Sequence, residues 1–238
     1  MVATHATKGP AAVRRLEISG QIEDGMWDYR PVYPPVAVEE LPRPSWGVGE
    51  GEVISQVLHL GGQSASSVAT AGHLFPDSPD IADIPLDRLI LSTVLLELDV
   101  KEGETIGLPA VLEALDRSGE TLRPGDGLLL ATGWARYWNK PEFLAESPGL
   151  SNELANWVAD QRLGLLGSDI PMYDPSWREG KVLPTIYASG TLVMAPLVNL
   201  TGHGVSRARL YALPLSVKGA CAAPCRAFLE VEENGATK

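Results

Sequence analysis

The eleven residues from Gln63 to His73, Gln-Ser-Ala-Ser-Ser-Val-Ala-Thr-Ala-Gly-His, hold the chain's densest group of side chains able to do chemistry. His73 is the leading candidate, because an imidazole titrates near neutral pH and can move a proton at a reacting atom. Gln63, Ser64, Ser66, Ser67 and Thr70 add an amide and hydroxyls that could orient a polar substrate or hold an oxyanion. Ser66 or Ser67 with His73 could also form a nucleophile–base pair. No Gly-x-Ser-x-Gly elbow accompanies them, and no third member is identified. The bland alternative is a histidine packed near a loop, with hydroxyls that only satisfy backbone groups.

These side chains need elements to hold them. Leu16 to Ile22 reads as a first strand, and Pro31 to Glu52, rich in Pro and Gly, as extended surface chain. Val53 to Leu60 alternates weakly and is β-like. The apolar runs Leu91 to Val100 and Leu128 to Thr132 read as strands. Between them, Pro109 to Arg117 has a helical pattern with Pro in its first turn. Ser151 to Gln161 is the clearest helix, with Ser151 as cap and Leu154, Trp157, Val158 and Gln161 on one face. Leu163 to Gly167, Thr191 to Met194, Leu210 to Val217 and Ala227 to Val231 complete a mixed α/β set. One domain over residues 14–231 fits best, with a loose arm at 1–13 and a polar tail at 232–238.

Composition narrows the partners. The chain has 238 residues, 45% of them hydrophobic, enough for one sizeable core. A net charge of −11 argues against nucleic acid and anionic membrane surfaces, which reward Lys and Arg. No apolar run approaches the length of a membrane span and no signal peptide is read, so a cytoplasmic location is expected. Cys221 and Cys225 lack the spacing of a structural zinc site and are read as buried free thiols. Gly47-x-Gly49-x-Gly51 lacks a strand–turn–helix context and carries Glu50 and Glu52, which would repel a phosphate. His59 and His203 read as structural or exposed, and His5 belongs to the arm.

Beyond His73 the chain continues Leu74-Phe75-Pro76-Asp77-Ser78 and then Ile84-Pro85-Leu86-Asp87-Arg88-Leu89. With Leu128-Leu129-Leu130-Ala131-Thr132-Gly133-Trp134, Pro148-Gly149-Leu150-Ser151, Gly167-Ser168-Asp169, Asp174-Pro175 and Pro224-Cys225-Arg226-Ala227, this ordered set resembles the putative cyclase family, which includes kynurenine formamidase and isatin hydrolase. The resemblance implies a swivelling β/β/α architecture around a mixed sheet, and a homodimer or homotetramer.

In the family's metal-dependent members the first segment reads His-x-Gly-Thr-His-x-Asp-x-Pro-x-His. On this chain its first His falls on Gln63, the second on Ser67, the Asp on Ala69 and the last His on His73. The family's distal His and Glu fall near Leu183 and on Ala195. The resemblance therefore implies that the metal ligands are replaced, because amide, hydroxyl and alkyl groups do not bind Zn²⁺ or Mn²⁺ usefully. No cofactor is expected. It also implies that Trp27, Tyr29, Trp46, Trp134 and Tyr137 approach the site as aromatic walls, and that Asp169 is a retained family residue that orients a partner or caps a loop.

Three functions follow. The first is a cofactor-free, lyase-like enzyme that uses His73 to cyclise or dehydrate a small molecule, in specialised (natural product) metabolism. The second is a metal-free hydrolase of an activated cyclic ester or amide. The third is an inactive ligand-binding relative.

Overall fold

The computed structural model describes residues 12–42, 54–101, 103–174 and 180–232. Trp46, the 47–51 glycine run, most of the expected arm and most of the expected tail lie outside the described residues. β1 (Val13–Glu17) precedes an antiparallel pair, β2 (Ala37–Glu40) and β3 (Gln56–His59), then the short β4 (Ser67–Ala69) and β5 (Ile90–Glu97). β6 (Thr105–Ile106), α1 (Leu108–Ser118), β7 (Gly127–Ala131) and α2 (Glu142–Ala145) come next. β8 (Gly149–Leu150), α3 (Asn152–Asp160), β9 (Leu165–Ser168) and α4 (Val182–Ala188) follow. The chain ends with β10 (Leu192–Ala195), β11 (Arg207–Pro214) and β12 (Ala222–Glu232).

The main sheet runs β1-β12-β11-β5-β7-β9-β10-β4. Neighbours among β5, β7, β9 and β10 are parallel, and the remaining pairs are antiparallel. α1, α3 and α4 each connect two successive parallel strands, as parallel pairing requires. β4 also pairs with β12, so the sheet closes into a barrel and leaves few open edges.

β7 explains the layering. Its residues alternate between two cores: Leu129 and Ala131 pack inside the barrel, while Leu128 and Leu130 pack outward beneath the helices. A strand buried on both faces must be apolar throughout, which is why this run shows no polar alternation. The helices are fixed locally. Ser151 Oγ accepts from Leu154 N at 3.1 Å, and α1 ends at Gly119 in the left-handed region (φ +69).

Two expectations shift. The first strand occupies Val13–Glu17 rather than Leu16 to Ile22, because its register on β12 pairs Val13 with Glu232 and Glu17 with Phe228. The stretch read as extended chain contains β2, paired with β3. No helix among the described residues is long and apolar enough to cross a membrane.

Leu129 is fully buried, whereas Leu58 on β3 is exposed. Leu129→Ala should cost about 2–5 kcal/mol in urea unfolding, and Leu58→Ala less than about 0.5 kcal/mol. Similar costs at both positions would contradict this account of the core.

Candidate active site

His73 is positioned from both sides of the barrel's closing strand. β4 ends at Ala69, and Thr70 caps the single 3₁₀ turn Ala71–His73. Thr70 Oγ1 accepts from Gly72 N at 3.1 Å, and His73 N donates to Thr70 O at 3.1 Å. Thr70 N also donates to Cys221 O at 2.8 Å, tying the turn to the start of β12. Cys221 Sγ consequently lies 3.9 Å from His73 Nδ1.

His73 faces a cavity of about 290 Å³ on the outer face of β4 and β10. That size is near the lower limit for small-molecule sites, about 300 Å³. Ser67 and Ala69 from β4, with Val193 and Ala195 from β10, form its floor. They share a face because the register sets Ala69 against Val193 and Ser67 against Ala195. Leu183 and Tyr187, one turn apart on α4, form one wall, and Tyr29, Tyr33 and Tyr173 bring further phenols. Tyr33 Oη donates to Gln63 Oε1 at 2.8 Å, and Tyr29 Oη donates to Pro171 O at 3.0 Å. The buried Tyr173 hydroxyl lies near Ser168 yet forms no hydrogen bond of normal geometry.

Burial sets the protonation states. Desolvation lowers the His73 pKa from its ordinary value, so the imidazole is in its neutral, proton-accepting form at neutral pH. Desolvation raises Tyr29, Tyr173 and Tyr187, which stay neutral hydrogen-bond donors. The Tyr187 ring meets the imidazole edge-on, with centroids 6.1 Å apart.

The residues singled out from sequence divide into two groups. Gln63, Ser67, His73 and Tyr29 line this cavity. The others are engaged elsewhere. Ser64 Oγ accepts from Gly61 N, and Ser66 Oγ donates to Pro196 O and accepts from Gly20 N. Thr70 clamps backbone, as described. Trp27 packs against Trp138 and Phe143, while Trp134 donates its indole N–H to Phe143 O and packs tilted against Tyr137. The Asp169 carboxylate accepts from Thr132 N and Thr132 Oγ1, holding the turn after β7 rather than facing His73's cavity. Burial raises the Asp169 pKa against those stabilising bonds.

Sequence reasoning missed Cys221, Tyr33, Tyr173, Asp174 and Tyr187. None stands near His73 in sequence, so only the fold brings them together. Cys221 and Cys225, both expected to be buried, are free thiols on half-buried residues.

The five positions onto which the metal ligands of the resemblance fall are Gln63, Ser67, Ala69, Leu183 and Ala195. All five line the one cavity. Among the described residues, no group of three or more His, Cys, Asp or Glu is placed to hold a metal ion. An amide, a hydroxyl, two methyls and an isobutyl group do not fit a Zn²⁺ or Mn²⁺ site.

The closed mixed barrel, its crossover helices and the cavity on its outer face define a swivelling β/β/α protein. The chain belongs to the putative cyclase family, whose description matches residues 16–175. Among solved structures it is similar to isatin hydrolase A from Labrenzia aggregata bound to benzyl benzoate, with TM-score 0.78, 15% identity, and 93% of this chain and 94% of that chain covered. Isatin hydrolase A from Ralstonia solanacearum gives TM-score 0.75 and 16% identity, covering 92% of each chain. A predicted metal-dependent hydrolase from Bacillus stearothermophilus gives TM-score 0.71 and 19% identity, covering 92% of this chain and 99% of the other. At these identities the likeness shows the fold. No curated protein matches the sequence.

The lowered His73 pKa makes a prediction about stability. The unfolded imidazole, with a pKa of about 6.5, binds a proton more readily than the folded one. Stability from this source is complete above that value and is lost as pH falls below it, toward the folded pKa. Between about pH 7 and pH 5, His73→Gln should therefore lose less stability in urea than the parent protein. Equal losses would mean that His73 is not desolvated.

Proposed function

We propose that this protein is a small-molecule enzyme of the hydrolase/cyclase type in which His73 carries the proton and protein side chains replace a bound metal. Family membership supports an enzyme of this general kind. The observation that carries the finer reading is the cavity wall: a neutral imidazole stands among donors too poor to ligate a transition metal.

Such a site suits reactions whose barrier is mainly proton transfer and orientation: intramolecular ring closure, dehydration, or opening of an activated ring. His73 takes a proton from the attacking group and returns it to the leaving atom, which contributes about 10²–10⁴-fold. The small apolar floor restricts the substrate's conformations, so that reacting groups meet often. The Tyr173 phenol, which forms no hydrogen bond of normal geometry, and the Gln63 amide N–H groups, whose oxygen is engaged by Tyr33, supply donors for a carbonyl oxygen. Cyclisation or dehydration in specialised metabolism is the first reading. Hydrolysis of an activated cyclic ester or amide is the second, favoured by neighbours named isatin hydrolase.

The test pairs metal analysis with one substitution. Purified protein should contain well under one equivalent of Zn or Mn, and its turnover of isatin or another activated cyclic amide should survive chelator. His73→Gln should lower that turnover by about 10²–10⁴-fold. A tightly bound equivalent of metal, or full activity without the imidazole, would refute the proposal.

A further inference from the structure

His73 has a nucleophile beside it that the preceding chemistry leaves unused. Cys221 Sγ lies 3.9 Å from His73 Nδ1, at the long end of a sulfur hydrogen bond. Catalytic pairs are commonly loose before substrate binds and tighten afterwards. Their geometry is held by one clamp: Cys221 O accepts from both Thr70 N and Thr70 Oγ1, and Thr70 caps the turn that carries His73. Cys221 is half-buried, and it stands next to the cavity through His73 rather than in the lining itself. Negative charge on that thiol would push the phenols of Tyr33 and Tyr187, both of which line the cavity, further up. The second thiol, Cys225, is pushed up to about 12 by burial.

We infer that Cys221 is the nucleophile of this cavity, with His73 as its base, and that the substrate is an electrophilic carbonyl compound such as an activated ester, a thioester or a strained lactam. This rests on the proton-carrying role of His73 proposed above and deepens it.

His73 Nδ1 takes the thiol proton while Sγ bonds to the carbonyl carbon and the C=O π pair moves to oxygen. With its Oε1 engaged by Tyr33, Gln63 keeps its amide N–H groups to donate to that oxyanion. Collapse restores C=O, breaks the bond to the leaving group and returns the proton from His73 to that group. The product of this half is a Cys221 thioester. In the second half, His73 deprotonates an attacking water, or a hydroxyl or amine of the substrate itself. The new bond forms, the C–S bond breaks, and the proton passes back to sulfur. Water yields an acid, and an internal nucleophile yields a ring. A thiolate is intrinsically a strong nucleophile, which supplies attack on carbon without metal-bound hydroxide.

The test uses the full chain and p-nitrophenyl acetate, with rapid measurement of p-nitrophenolate and peptide mass mapping. The expected result is a burst of one equivalent, with the acetyl group on Cys221. The burst should vanish in Cys221→Ala and persist in Cys225→Ala. His73→Gln should slow it by about 10²-fold or more while iodoacetamide still alkylates Cys221. Cys221→Ser changes one atom, serves if the alanine variant fails to fold, and should also lose the fast burst. An acetyl group on Ser67, no adduct at all, or a full burst in the Cys221 variants would overturn the inference. Isatin turnover that survives Cys221→Ala but not His73→Gln would overturn it too, and would leave the role of His73 standing. A burst that His73→Gln leaves unchanged would overturn the pair and that role together.

Discussion

The double pairing of β4 is the constraint on which the rest depends. Three residues, Ser67, Val68 and Ala69, bond to β10 on one side and to β12 on the other. The middle side chain, Val68, points into the barrel and is fully buried, so the outer two must face outward. That single parity makes Ser67 and Ala69 the floor of the cavity. It also sets the chain leaving β4, with Thr70 and His73, against the chain entering β12, with Cys221. A slip of one residue would turn Ser67 and Ala69 inward and move Val68 into the site.

Electrostatics then follows from packing. The cavity lies where α4 and the Tyr29–Tyr33 segment cover the sheet, so its titratable groups are withdrawn from water. Withdrawal disfavours charge of either sign: His73 is held in its neutral, proton-accepting form, and the Tyr29 and Tyr187 phenols remain acids too weak to ionise. The same desolvation acts on Asp169, but there the bonds from Thr132 offer partial compensation and the carboxylate serves the turn. Two kinds of buried polar group thus coexist, one satisfied by the fold and one left facing the cavity.

Local patterns carried the regular elements. Ser151 before an amphipathic run marks α3, and the unbroken apolar Leu128 to Ala131 marks a central strand, because capping and burial act within a few residues. The resemblance placed His73, Gln63 and Ser67 together. The barrel's closure was not legible, since Ser67-Val68-Ala69 is too short to show alternation and becomes a strand only through its two partners. Cys221 was invisible for a related reason: 148 positions separate it from His73, and nothing near either residue encodes their meeting. Trp27 and Trp134 read as site walls, yet both were large enough to fill the core beneath α2 instead. Asp169, expected to orient a partner or cap a loop, accepts from Thr132 N and Thr132 Oγ1 in the structure.

The charge of the cavity wall has a consequence for what leaves it. Of the described residues lining the cavity, none is Lys or Arg, and Asp174 contributes a carboxylate. A neutral ester or lactam enters such a space at little electrostatic cost. A carboxylate formed inside meets no fixed cation, and a desolvated anion without a partner is strongly disfavoured. On the function proposed above, products that gain negative charge are driven out and neutral cyclic products are retained longer. For that proposed chemistry the wall would sort molecules by the charge they acquire during reaction, a form of turnover control that needs no moving part.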